Sequence, residues 1–400
     1  MKRFLSVGLI LLLMTLPLSG CWSRKELNEL SIIVGLGLDK TDSGYKVIAQ
    51  IVNPGQVVVK KGSGINFSPV ITYEEAGSTV PEALARMTVK APRRLYFAHL
   101  RMLVIGEKLA RAGISKPLDF ISRNRDMRTD FYLVVAKNTS ASELLRMYSS
   151  MDPIPANNLY TKLEASDRVW AATGKITLDR LIKDLSKQGK DPAITGIELV
   201  GNLKEGDKIG SVQRIDPPVI MQYTGMAAFK ADKMVGWMDE GDTKVWNYLQ
   251  NATKQTTAYT ACPGGDGKLT MQIVNSHASI HPKLQGGNPS FDVHIRLEYD
   301  ISDVECRTDL LAPSFLVEVK KLLDKKVKDL LEQSIRKAQR QFRADIYGFG
   351  DKFHSAYPKE WHRIKNWDDR FADAEIHVYP ETIVRRIGTI LQSVQHETED

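Results

Sequence analysis

A chain of 400 residues, 42% hydrophobic and 26% charged, is that of an ordinary folded body, which excludes a disordered or low-complexity protein. The net charge of +7 falls to about +5 once Lys2 and Arg3 are set aside. That balance suits an anionic lipid surface and argues against nucleic acid, since no basic run with interleaved aromatics occurs.

Lys2 and Arg3 form a positive head, and Phe4 to Leu16 is an almost unbroken apolar run. The run is shorter than the roughly 20 residues a membrane-spanning helix needs and matches the h-region of a secretory signal. Leu18-Ser19-Gly20-Cys21 follows in the register of a bacterial lipobox. Cleavage between Gly20 and Cys21 makes Cys21 the new N-terminus, and its thiol carries the lipid anchor. No later stretch reaches transmembrane length, so the mature chain is expected to hang from the outer face of a membrane. Cys262 and Cys306 are the other two cysteines. Outside the cytoplasm they could pair, but standing in separate segments they read more readily as free thiols.

Residues 31–38 and 45–52 are rich in Ile, Val and Leu and flank a Lys-Thr-Asp-Ser-Gly turn, which predicts a β-hairpin. Residues 54–69, with Pro54, Gly55, Gly62 and Gly64, read as a loop. VITYEE (70–75), LRMLVIGE (100–107), FYLVVAK (131–137) and ITGIELVG (194–201) read as strands. Between them lie helices beginning near Ser78, Ile114 and Thr177, a short one through Leu109 and another within 156–176; the box Ser140-Ala141-Ser142-Glu143 opens one more. Strand–helix alternation of this kind gives an α/β region with a mixed sheet.

The polar stretch 202–219, ending in Pro217-Pro218, is the expected boundary. Five parts result: a signal over 1–20, an N-terminal α/β region over 21–201, a linker over 202–219, a C-terminal α+β domain over 220–392 and a frayed tail over 393–400. The C-terminal part begins with a hairpin, GMAAFK (225–230) and MVGWM (234–238), followed by a helix over 242–253 and a strand, KLTMQIV (268–274). From 291 to 301, Phe291, Val293, Ile295, Leu297, Tyr299 and Ile301 alternate with polar residues. Period two predicts an antiparallel sheet with one solvated face. Leu316–Phe342 carries an apolar stripe of helical period, with Asp324–Lys328 and Glu332–Arg336 as surface pairs. Residues 373–380 and 382–388 read as two closing strands.

Motifs for chemistry are absent. None of the eight histidines sits in HExxH or a zinc spacing. His277 and His281 are four apart but lie on an expected strand, about 13 Å apart, as surface residues. His294 and His377 fall on the polar phase of strands. There is no G-x-S-x-G and no P-loop, and Gly35-Leu36-Gly37 lacks the third glycine of a dinucleotide fingerprint. No cofactor or metal site is expected, and the weight moves from catalysis to binding or assembly.

The segment DIYGFGDKFHSAYPKEWHRIKNWDDRF sets Gly348 and Gly350 around Phe349, with Trp361 and Trp367 six residues apart. Its plain reading is a glycine-permitted loop with tryptophans in a local core. As a combination it resembles the C-terminal signature of the GerAC-like, or Ger(x)C, spore germination lipoproteins. CWSRKELNELSIIVGLGLDK, AHLRMLVIGEKLARAGISKPLDFISRNRDMR and GMAAFKADKMVGWMD are similar to further blocks of that family in the same order. Ser23 stands after Trp22 where many members have an acidic residue. The resemblance implies the C subunit of a nutrient germinant receptor, anchored through Cys21 to the spore inner membrane and assembled with a polytopic A subunit and a transporter-like B subunit. It implies no catalytic residue. Two other readings stand beside it. An extracytoplasmic solute-binding lipoprotein of a transporter shares the lipobox but calls for two similar lobes of parallel sheet. An envelope hydrolase requires a carboxylate or metal site.

Overall fold

The computed structural model describes residues 29–53, 68–149, 151–263, 267–305, 310 and 312–387. The signal, Gly20, Cys21 and most of the 54–69 loop lie outside them. The first half contains β1 (Leu30–Thr41), β2 (Gly44–Val52), β3 (Val70–Gly77), α1 (Val80–Met87), β4 (Arg94–Tyr96), β5 (Met102–Gly106), α2 (Glu107–Ala112), α3 (Ser115–Arg123), β6 (Tyr132–Ala136), α4 (Ala141–Arg146), α5 (Pro155–Val169), α6 (Leu178–Ser186) and β7 (Ala193–Gly201). Then come α7 (Leu203–Gly206), β8 (Val219–Lys230), β9 (Lys233–Met238) and α8 (Glu240–Leu249). The last third holds β10 (Thr256–Ala261), β11 (Lys268–Gln285), β12 (Asn288–Val304), α9 (Pro313–Lys337), α10 (Phe349–Ala356), α11 (Pro358–Trp361), α12 (Trp367–Asp373) and β13 (Glu375–Arg386).

These strands form two sheets, an α+β architecture. The first runs β3-β2-β1-β5-β6-β7-β8-β9, with β4 also beside β1. Its centre, β1, β5, β6 and β7, is parallel; β2, β3, β8 and β9 are antiparallel additions. Parallel strands must be covered on both faces, and they are. Leu84, Leu109, Ile121 and Leu181 pack on one side, Leu144, Leu145 and Leu159 on the other. Gly35 and Gly37 lie within β1, where an added Cβ would come 3.0 Å from Ala156 Cβ and from Leu145 Cδ1 respectively. They let the helices of the second face approach closely, as a glycine within a strand permits.

The 219–238 hairpin departs from the sequence reading. It forms, but it extends the first sheet at its β7 edge instead of opening the second. Gly201 pairs with Val219, so the polar 202–218 connection leaves and re-enters the same sheet.

The second sheet runs β10-β11-β12-β13. Its first three strands are antiparallel, and β13 joins parallel to β12 because α9 carries the chain back across the sheet. All six alternating residues from Phe291 to Ile301 are buried. Val319, Leu323, Leu331 and Ile335 of α9 share their core. Three details differ from expectation. β10 was not foreseen. β13 runs unbroken through Pro380, which pairs in register with Ile295; proline is tolerated there because, among the described residues, β13 is an edge strand paired with β12. Asp324 pairs with Lys320 and accepts from Thr382, not from Lys328. One continuous core includes Phe229 from the first sheet, Phe291 from the second and Trp246 between them.

Candidate functional site: a buried carboxylate clasp

After α9 the chain makes a π-helical turn, Ala338–Phe342, and Arg343 breaks it in the left-handed region at φ 48°. Two residues later stands Asp345, with 0% of its surface exposed. Its Oδ1 accepts from the backbone N–H groups of Gly348 (2.8 Å) and Phe349 (3.0 Å). Its Oδ2 accepts from Gly350 N–H (2.7 Å) and from Trp367 Nε1 (2.9 Å). The three amides are the orphan donors that open α10, so the carboxylate serves as that helix's cap and counter-charge. Burial pushes this carboxyl up to about 7, and the four donors act against that rise.

The five positions singled out in the sequence gather here. Gly348 takes φ 87°, a conformation that glycine adopts without strain. A Cβ on Gly350 would lie 2.6 Å from Gly189 Cα and from the Trp367 ring. Phe349 packs edge-on against Phe291, ring centroids 5.1 Å apart, and stacks on Phe371 at 5.7 Å. Trp361 and Trp367 lie 5.1 Å apart, and Trp361 donates through Nε1 to Gln188 Oε1 at 3.0 Å. Asp345 was missed because capping signals are sought directly before a helix, whereas this carboxylate reaches forward from three residues before Gly348. The pattern Asp-x-x-Gly ahead of an aromatic helix start could have found it.

The cluster grips the first half of the molecule at the α6–β7 connection. Asp191 N–H donates to Asp345 C=O (2.9 Å), and Asp345 N–H donates to Asp191 Oδ2 (2.9 Å). Asp191 Oδ1 accepts from Ala231 N–H (2.7 Å) at the β8–β9 turn, and burial raises this carboxyl too. Asp351 N–H donates to Gly189 C=O (3.0 Å), and Lys187 pairs with Asp351 at 2.8 Å. Trp246 Nε1 and Gln250 Nε2 hold the carbonyls of Ile346 and Tyr347 at 3.1 and 3.0 Å. Residues 187–191 are thereby tied to 345–351 by backbone hydrogen bonds, a side-chain acceptor and an ion pair.

A second feature lies outside the carboxyl ends of β1 and β5, where neighbouring strands lead away in opposite directions. Open α/β sheets bind ligands at such points. A cavity of about 540 Å³ opens there, lined in part by Asp39, Lys46, Glu107, Arg111 and Ser140. The Asp39 carboxylate already accepts from Ala141 N–H (2.9 Å) and Ser142 N–H (3.1 Å), and burial raises its carboxyl. Glu107 accepts from Arg111 Nε (2.9 Å) and Trp237 Nε1 (3.2 Å). The helix-start amides that would take a bound anion are thus filled by the chain itself.

His277 and His281 both lie on β11, and His294 stacks on Tyr379 at 4.9 Å on the solvated face. Among the described residues no three His, Cys, Asp or Glu side chains gather in a metal-binding group, and no helix is long and apolar enough to cross a membrane. Cys262 is disulfide-bonded, which corrects the reading of free thiols. The chain's other cysteines, at 21 and 306, lie outside the described residues.

Comparison with known proteins matches this arrangement along the chain. The family described as "Spore germination protein N-terminal domain" matches residues 23–199, and "Spore germination B3/ GerAC like, C-terminal" matches 224–388. Spore germination protein KC of Bacillus subtilis (strain 168) is 30% identical over 407 residues, covering 100% of both chains. Spore germination protein B3 of the same organism is 23% identical over 95% of this chain and 97% of its own. The crystal structure of the GerBC protein shares the fold at a TM-score of 0.53 and 20% identity, over 88% of this chain and 96% of that one. The second sheet, antiparallel except for β13, disfavours a two-lobed solute-binding protein. The chain belongs to the GerAC-like family of spore germination proteins, the C subunits of germinant receptors.

Proposed function

We propose that the chain is a lipid-anchored receptor subunit, held through Cys21 on the outer face of the spore inner membrane. It assembles there with the A and B membrane subunits and passes on nutrient binding without catalysing a reaction. The observation that carries this reading is the Leu18-Ser19-Gly20-Cys21 run directly after a short apolar segment. The disulfide at Cys262 supports an oxidising, extracytoplasmic location. In this reading Gly348, Phe349, Gly350, Trp361 and Trp367 keep the two sheets in one fixed relation, so that a force or displacement on one reaches the other.

The anchor is tested with Cys21→Ala in sporulating cells. The variant is expected to leave the membrane fraction and to lose nutrient-triggered dipicolinate release, while a nutrient-independent trigger still works. Full nutrient response from a protein without lipid would overturn the anchoring.

A further inference from the structure

Lys162 of α5 faces a cavity of about 380 Å³ between that helix, the 202–218 connection and the start of β8. Its Nζ donates to Met221 C=O at 3.1 Å. Among the described residues no carboxylate stands within ion-pair distance of it, and burial alone depresses its pKa. A half-buried ammonium without a counter-charge is costly. The rest of the wall is largely apolar. Met151, 91% exposed, and Ile220, 46% exposed, stand there with Pro217.

We propose that this cavity is a binding site for a small organic carboxylate with an apolar body. Lys162 neutralises the carboxylate, and the Met151–Pro217–Ile220 wall covers the apolar part. An inorganic anion leaves that wall wet, and a neutral apolar molecule leaves Lys162 unpaired. The volume is within the ~300–1,000 Å³ of small-molecule pockets. The site lies apart from the Asp345 clasp and does not depend on the assembly role proposed above.

The test is calorimetric titration of the purified full-length chain with hexanoate and 1-hexanol. Saturable one-to-one binding is expected, tighter for hexanoate. Lys162→Met is expected to weaken hexanoate about tenfold or more and leave 1-hexanol unchanged. Unchanged acid binding in Lys162→Met, or no saturable binding by the parent chain, overturns the site. A readout on the unmutated chain guards against misfolded variants. Acetylation of Lys162 by acetic anhydride should slow in hexanoate and not in 1-hexanol; equal labelling in both overturns the proposal.

Discussion

Asp39 and Asp345 do the same local job in different settings. Each buried carboxylate caps the start of a helix, Asp39 through the amides of Ala141 and Ser142, Asp345 through those of Gly348, Phe349 and Gly350. Asp39 stands at the floor of an open crevice, and its contacts stay within the first sheet and its covering helices. Asp345 has no surface at all and adds a tryptophan donor, a backbone exchange with Asp191 and, through Gly350, contact with Gly189. A cap at a crevice stabilises one helix. A cap sunk between two sheets decides how they sit against each other. The motif-rich segment 345–367 is therefore read as a clasp and not as a ligand site.

The comparison breaks first at Asp345. At about pH 8.5, where the carboxyl is ionised, Asp345→Asn turns donors toward donors in a sealed site and is expected to lower unfolding free energy by about 3–5 kcal/mol. The matching Asp39→Asn, with two amides beside solvent, should cost about 1–2 kcal/mol. Urea denaturation of both variants checks the order; equal losses would remove the distinction drawn here.

A pH series sharpens it. The Asp345 carboxyl lies near 7 when folded, against an ordinary value of 3.8. Between those values the native state holds a proton that the unfolded chain has released. The contribution of this group is then fully present below about 4 and is lost as pH rises to about 7. Asp39 and Asp191, also raised, act in the same direction. The urea midpoint of the parent chain should fall between pH 4.5 and 7.5 less steeply once Asp345→Asn is introduced.

The smallest effect belongs to the Ser140 box, which leans on solvent. Ser140 Oγ accepts from Glu143 N–H at 3.0 Å and Glu143 accepts from Ser140 N–H at 2.9 Å. Ser140→Ala should cost about 1 kcal/mol in the same denaturation assay.

Local signals were readable in the sequence. The capping box at Ser140 and the period-two face of β12 formed where expected because neighbouring residues alone decide them. The destination of the 219–238 hairpin was not readable, since the choice of sheet rests on contacts with β7 and not on its own pattern. The five motif positions were legible as a group, but their centre was not. Asp345 looks like any helix-flanking acid until Gly189, Asp191 and Trp367 are brought to it by the fold. Nor did spacing foretell the disulfide at Cys262, because pairing of distant cysteines depends on geometry.

The most direct test of the clasp is native-state hydrogen exchange, comparing the parent chain with Asp345→Asn at one pH. Amides of 187–191 and 345–351 should lose protection together, while the central strands β5 and β12 keep theirs. Loss confined to 345–351, with 187–191 still protected, would contradict the claim that this carboxylate joins the two halves.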